Sequence, residues 1–127
     1  DMAGSLFDGI GKELCVDNEG MIDKATAVSG SGPGFIFYIL EQLLKSIEGL
    51  GFNEEDSKKL LLNTLDGSLE LLKSDMDPMK LAKQVASEGG TTEAGFKVLD
   101  QYKMKHVWSR VLQKAEKRAK ELSALNS

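Results

Sequence analysis

Pro33-Gly34-Phe35-Ile36-Phe37-Tyr38-Ile39-Leu40-Glu41-Gln42-Leu43-Leu44-Lys45-Ser46-Ile47-Glu48-Gly49-Leu50 reads as one helix. Pro33 suits a first helical position, Ile36, Leu40, Leu43, Ile47 and Leu50 recur at helical spacing, and Gly49 and Gly51 stop the run. Its first half, Phe35 to Leu40, is apolar all round, and such a helix must be covered on every side. A chain of 127 residues has few layers with which to do so. An interlocked homodimer, in which a partner's helices supply the missing cover, is the simplest solution. A central helix surrounded by its own chain is the alternative.

Outward from this stretch the pattern stays helical. Asn53, with Asp56 three residues on, predicts a helix start, and the stripe Leu61, Leu65, Ser68, Leu69 and Leu72 carries that helix to about Lys73. Gly67 and Ser68 within it are weak helix formers, and on a buried face they point to close helix–helix approach. Asp77-Pro78 starts a short helix ending near Val85-Ala86. Two more are expected, from about Thr92 to Gln101 with Phe96 and Leu99, and from about Lys105 to Leu122 with Trp108, Val111, Leu112, Ala115 and Ala119. The fold class is therefore all-α. Leu14-Cys15-Val16, running into Asp17-Asn18-Glu19-Gly20, is the one β-like run. A lone strand either packs as irregular chain or pairs with strands in a portion of the protein outside this sequence, and the second is favoured. Asp1-Met2 opens without an initiator methionine, which fits a segment of a longer protein and equally a trimmed tag.

Composition narrows the function classes. Twenty acidic against sixteen basic residues give a net charge of −4, and Lys and Arg are interspersed with Glu, so neither nucleic acid nor an anionic membrane is an expected partner. Cys15 is the only cysteine, which rules out an intrachain disulfide and suits a reducing, cytoplasmic compartment. No apolar run approaches the roughly 20 residues a membrane span needs, and the N-terminus lacks signal-peptide character.

Two Gly-rich corners carry the chemical interest: Ser29-Gly30-Ser31-Gly32-Pro33 and Ser87-Glu88-Gly89-Gly90-Thr91-Thr92. Each leads into a helical pattern, and a helix start presents N–H groups and partial positive charge to an anion such as a carboxylate. Gly89 and Gly90 let the backbone approach a ligand without Cβ interference, while Thr91 and Thr92 have hydroxyls to cap the helix or bond a ligand. The residues alone favour plain capping over binding. Other chemistries fail on their residues. One histidine, His106, and one cysteine cannot make a structural zinc site or HExxH, so no metal is expected, and His106 reads as a surface side chain. Gly30-Ser31-Gly32-Pro33-Gly34 is not a dinucleotide loop, because Phe35 stands where G-x-G-x-x-G needs Gly; a P-loop lacks its Gly-Lys-Ser/Thr.

Ala27-Val28-Ser29-Gly30-Ser31-Gly32-Pro33, the 87–92 corner and the tail Lys117-Arg118-Ala119-Lys120-Glu121-Leu122, in that order and spacing, closely resemble the C-terminal half of pyrroline-5-carboxylate reductase. The resemblance runs from about Leu6 to Leu122. It implies NADPH- or NADH-dependent reduction of the cyclic imine 1-pyrroline-5-carboxylate to L-proline, the last step of proline synthesis. It also implies a Rossmann domain followed by a helical dimerisation domain of the 6-phosphogluconate-dehydrogenase C-terminal-like type. Residues 1–20 would be the end of that Rossmann domain, its last strand and linker, and 21–127 the helical dimerisation and substrate-binding domain. In the family the helical domains interlock, dimers can build larger rings, and the active site lies between one subunit's cofactor domain and its partner's helices.

Carried over by position, the resemblance assigns the substrate carboxylate to N–H groups around Gly89, Gly90, Thr91 and Thr92. The Thr92 hydroxyl would bond the ring nitrogen as the catalytic contact, with Asp75 bordering the pocket, where the family often has Glu. Ser31, Gly32 and Pro33 would face the nicotinamide. Hydride goes to the protonated imine carbon, so no side-chain nucleophile is required. This chain departs from the family at Glu88, usually Pro; at Gly34, usually Ala; and at Tyr102-Lys103-Met104-Lys105, usually a Gly-Gly-Phe-like turn. Without its Rossmann half it is expected to turn over nothing alone. A helical oligomerisation module with no site, or a reductase of another cyclic imine, is the competing reading.

Overall fold

The computed structural model describes residues 19–86 and 90–126. The expected strand at Leu14-Cys15-Val16 lies outside them, as do Glu88 and Gly89. The order is α1 (Glu19–Ala25), a π-helix (Thr26–Gly30), α2 (Gly32–Gly49), α3 (Glu54–Ser74), α4 (Pro78–Ala86), α5 (Gly90–Gln101) and α6 (Met104–Leu125), with no strand among the described residues. The chain is all-α, as its periodicity predicts.

These helices begin and end where local chemistry dictates. Asn53 caps α3 by accepting the Asp56 N–H on Oδ1 at 2.8 Å, and Glu54, Glu55 and Asp56 place negative charge in the first turn, toward the positive end of the dipole. The Ser57 hydroxyl, fully buried, donates back to the Asn53 carbonyl at 2.7 Å. Asp77 caps α4 in the same way, accepting the Lys80 N–H at 3.2 Å, and Pro78 fills a position that needs no donor. Gly51 ends the α2 turn at φ 113°, a conformation that side chains with a Cβ rarely adopt. At the α5–α6 turn the left-handed position, φ 52°, is taken by Lys103.

Two compact units emerge. One takes the described residues up to Leu40 together with those from Met104 on; the other is Glu41–Lys103. In the first, α1 and the π-helix pack on α6, burying Ala27 and Ser29, and the Ser123 hydroxyl donates to the largely buried Asp23 carboxylate at 3.1 Å. Trp108, Val111, Leu112, Ala115 and Ala119 are half-buried on α6, along with Met104 and Glu116. In the second unit α3 packs on α4, and α4 on α5.

Ala27 is the sole buried apolar residue among those described. No residue of α2 is fully buried, and Phe37 and Tyr38 are 62% and 71% exposed. Among the described residues, none buries this apolar helix fully.

Four expectations are corrected. The helix Glu19–Ala25 was not anticipated, because seven residues give too little periodicity to read. On α2 the less exposed residues are Phe35, Ile39, Leu40, Leu44 and Ile47, while Ile36, Leu43 and Leu50 of the expected stripe are exposed. A helix apolar on all sides has no periodicity to say which face turns inward. Around Gly67 an added Cβ would meet nothing within 4 Å, and Ser68 is exposed, so the expected close helix approach is not made among the described residues. Finally, Ser29-Gly30-Ser31-Gly32-Pro33 is not a free helix start.

Candidate functional site

The first corner is a π-bulge in a helical run that extends from Glu19 to Gly49 with one interruption. The Ser31 N–H reaches back to the Thr26 carbonyl at 3.2 Å, an i→i+5 bond, and the Ser31 carbonyl receives the Phe35 N–H at 3.2 Å to begin α2. Pro33 explains the irregularity. In an unbroken α-helix its ring would strike the carbonyl of Ser29, four residues back, and its missing N–H would leave that carbonyl unpaired. Widening into a π-turn avoids the clash. Ser31 itself is helical, at φ −94° and ψ −21°, and its N–H is already committed to Thr26. The expected anion-receptive N-terminus is therefore absent there, and Ser31, Gly32 and Pro33 form a half-buried edge next to the bulge.

Inside the bulge Ser29 is 5% exposed and its hydroxyl donates to the Ala25 carbonyl at 2.8 Å. Gly30 lies close to its neighbour: a Cβ there would stand 3.6 Å from Thr26 Cγ2.

The described part of the second corner, Gly90, Thr91 and Thr92, is helical. α5 begins at Gly90, two residues earlier than its periodicity predicts, so Gly90, Thr91 and Thr92 form its first turn and neither threonine occupies the capping position. Their N–H groups are among those a helix leaves without intrahelical partners. Thr91 is exposed and Thr92 half-buried, and a Cβ built on Gly90 would meet nothing within 4 Å, so the backbone here is approachable. Glu93 adds an acid to this turn.

Asp75 closes α3 in an extended conformation, φ −152° and ψ 96°, its N–H bonded to the Leu71 carbonyl at 3.0 Å. Its carboxylate accepts from Lys80 Nζ at 2.8 Å, which ties the end of α3 to α4. Lys80 had no role in the sequence reading, because a pair spaced by five residues across Pro78 matches no helical spacing rule. Asp75, Gly90, Thr91 and Thr92 belong to one compact unit, and Ser31, Gly32 and Pro33 to the other.

His106 is exposed and lines an open groove on the first unit with Phe35, Val107, Arg110, Val111, Lys114 and Ala115. No group of three His, Cys, Asp or Glu among the described residues could hold a metal ion. No described helix is long and apolar enough to cross a membrane. The described residues offer no strand, Gly-rich turn and helix for a dinucleotide pyrophosphate.

Comparison with known proteins supplies the context. Residues 19–122 match the pyrroline-5-carboxylate reductase dimerisation family. The chain is 35% identical over 124 residues to a pyrroline-5-carboxylate reductase of Pseudomonas aeruginosa, covering 97% of this chain and 45% of that protein. It is 34% identical over 121 residues to pyrroline-5-carboxylate reductase 2 of Bacillus subtilis, covering 94% and 43%. Among solved structures, a pyrroline-5-carboxylate reductase from Coxiella burnetii aligns with a TM-score of 0.78 at 37% identity, covering 84% of this chain and 40% of that one. A Plasmodium falciparum pyrroline carboxylate reductase with NADP bound aligns with a TM-score of 0.76 at 32% identity, covering 83% and 43%. The chain thus spans a little under half the length of these relatives.

Proposed function

The chain belongs to the pyrroline-5-carboxylate reductase dimerisation family, and from that premise we propose that it is the substrate-binding and dimerisation part of an enzyme that reduces 1-pyrroline-5-carboxylate to L-proline. The observation that carries the proposal is the first turn of α5. It pairs exposed residues Gly90 and Thr91 with the half-buried Thr92, which carries a hydroxyl, at the positive end of a helix dipole. A carboxylate suits the N–H groups of Gly89, Gly90, Thr91 and Thr92, and the Thr92 hydroxyl accepts from a protonated ring nitrogen.

Asp75 borders this site in the proposal, with Lys80 holding its carboxylate. Ser31, Gly32 and Pro33 form the edge that limits where a nicotinamide can lie. NADPH or NADH, bound mainly by a separate dinucleotide-binding domain, supplies the hydride. What this chain contributes is orientation: it fixes the ring by its carboxylate and nitrogen. The unburied faces of α2 and α3 are covered by a second copy in an interlocked homodimer, on which larger rings can be built, and the enzyme works in the cytoplasm.

The test is oxidation of NADPH and NADH with 1-pyrroline-5-carboxylate, by this segment joined to a dinucleotide-binding half and by the segment alone. Turnover in the joined protein only is expected. A folded, NADPH-binding joined protein without turnover would overturn the assignment, and would leave a reductase of another cyclic imine or a scaffold.

A further inference from the structure

Late in α6 the charges are paired: Arg118 holds Glu121 at 2.9 Å and Lys120 holds Glu116 at 3.1 Å. Arg110 and Lys114, exposed and one turn apart, have no ion pair or hydrogen bond among the described residues. They line the open groove together with the apolar side chains of Phe35, Val107, Val111 and Ala115. Apolar surface beside unpaired cations calls for an apolar segment flanked by acid. A two-fold contact of groove on groove is disfavoured, because it brings the two sets of cations together.

The complementary face is on α3. Leu62, Leu65 and Leu69 are 59%, 37% and 51% exposed and share one side of that helix, at i, i+3 and i+7. Asp66 and Glu70, one turn apart and exposed, follow Leu62 at i+4 and i+8 and so flank this side. Asp66 has no ion pair among the described residues, and Glu70 has a long one, 3.6 Å to Lys73. The spacing of the two acids equals that of Arg110 and Lys114, about 5.4 Å along a helix. Other acids do not offer it. Glu41 of α2 is followed one turn on by Lys45, Glu54 and Glu55 are paired with Lys58 and Lys59, and Asp23, one turn beyond Glu19, is buried against Ser123.

We propose that α3 of one copy of this chain lies in the groove of a second copy, its leucines on Phe35, Val107, Val111 and Ala115, and Asp66 and Glu70 against Arg110 and Lys114. The inference rests on the reading above of the chain as a homodimer, and it names the contact that sets the register of the pair. In a two-fold dimer the contact occurs twice. The apolar area supplies the affinity, while the charges select α3 and reject a second groove.

The experiment uses two variants of the 127-residue chain, one with Arg110→Glu and Lys114→Glu, the other with Asp66→Lys and Glu70→Lys. A homodimer of either variant sets like charges against each other at both contacts. A heterodimer does not: one contact is wild type, and in the other both partners are reversed. Sedimentation equilibrium of each variant alone is expected to give a dimer dissociation constant raised about tenfold or more over wild type. Native mass spectrometry of an equal mixture, one chain carrying a mass tag, is expected to show heterodimer in excess of both homodimers. If a variant does not fold alone, the two are mixed in urea and refolded together, and the same excess is expected. Wild-type dimers with statistical mixing of the variants overturn the proposed contact and leave the homodimer standing. A wild-type chain that is monomeric at micromolar concentration overturns the homodimer reading and this inference with it.

Discussion

Ser123, near the end of α6, donates its hydroxyl to the carboxylate of Asp23 in α1 at 3.1 Å, joining two residues a hundred positions apart. Asp23 is only 9% exposed, so its charge needs such partners. Ser123→Ala is expected to lower the unfolding free energy by about 1–3 kcal/mol, the range for removing a donor from a buried polar group, and more than Ser123→Thr. Urea unfolding of the three proteins measures it.

Lys103 holds a left-handed conformation, φ 52°, at the turn into α6, where the resemblance expects a glycine-rich turn. A side chain with a Cβ costs about 1–2 kcal/mol there, and glycine recovers part of this after its greater loss of backbone entropy. Lys103→Gly is expected to stabilise by roughly 0.5–1 kcal/mol, visible as a higher melting temperature. Gly51→Ala, at φ 113°, should lower it.

The Lys58 ammonium bonds Glu54 Oε1 at 2.7 Å, and this bond lowers the Glu54 pKa below its usual 4.5 and raises that of Lys58 above its usual 10.5. A depressed carboxylate contributes stability above its unfolded pKa, and the contribution is lost as pH falls through the folded value. A raised amine contributes below its unfolded pKa, and its contribution is lost as pH rises through the folded value. The pair therefore acts between these limits. Thermal melts should show a small deficit for Glu54→Gln at about pH 7 that vanishes near pH 3, the pair being fully exposed and screened by water.

Thr92→Ala is expected to lower kcat/KM of the joined enzyme about 10–100-fold and to leave assembly unchanged, because Thr92 lies in the first turn of α5 and its hydroxyl is assigned to the ring nitrogen. Steady-state kinetics with sedimentation of the same preparation checks both halves of that statement. Unchanged kinetics would remove Thr92 from the site.

How far these features were legible in the sequence differs by residue. Asn53 with Asp56, and Asp77 with Pro78, mark helix starts by local chemistry, and the structure has both caps. Pro33 is ambiguous, because proline suits the first turn of a new helix and equally interrupts a running one. The choice depends on whether Glu19–Ala25 is helical, and seven residues do not say. Gly67 and Ser68 mark a face made for close approach, yet among the described residues nothing approaches Gly67, since periodicity reports which face wants cover and not whose atoms provide it. At the proposed site, Gly90 and Thr92 were legible as a corner but not as the first turn of the helix itself, because weak helix formers blur where α5 begins. The Asp75–Lys80 bond crosses between helices and follows from no spacing rule.

The central claim is that this chain is one part of an interlocked pair. It rests on a contrast: α2 carries Phe35, Ile36, Phe37, Tyr38, Ile39 and Leu40 in succession, and Ala27 is the sole buried apolar residue described. The most direct measurement is the sedimentation equilibrium of the 127-residue chain at about 1 µM, read together with hydrogen exchange of the α2 amides. A dimer whose α2 amides are protected, and lose that protection as dilution dissociates it, is the predicted result. A monomer with α2 equally protected would contradict the claim, because the apolar helix would then be covered by its own chain.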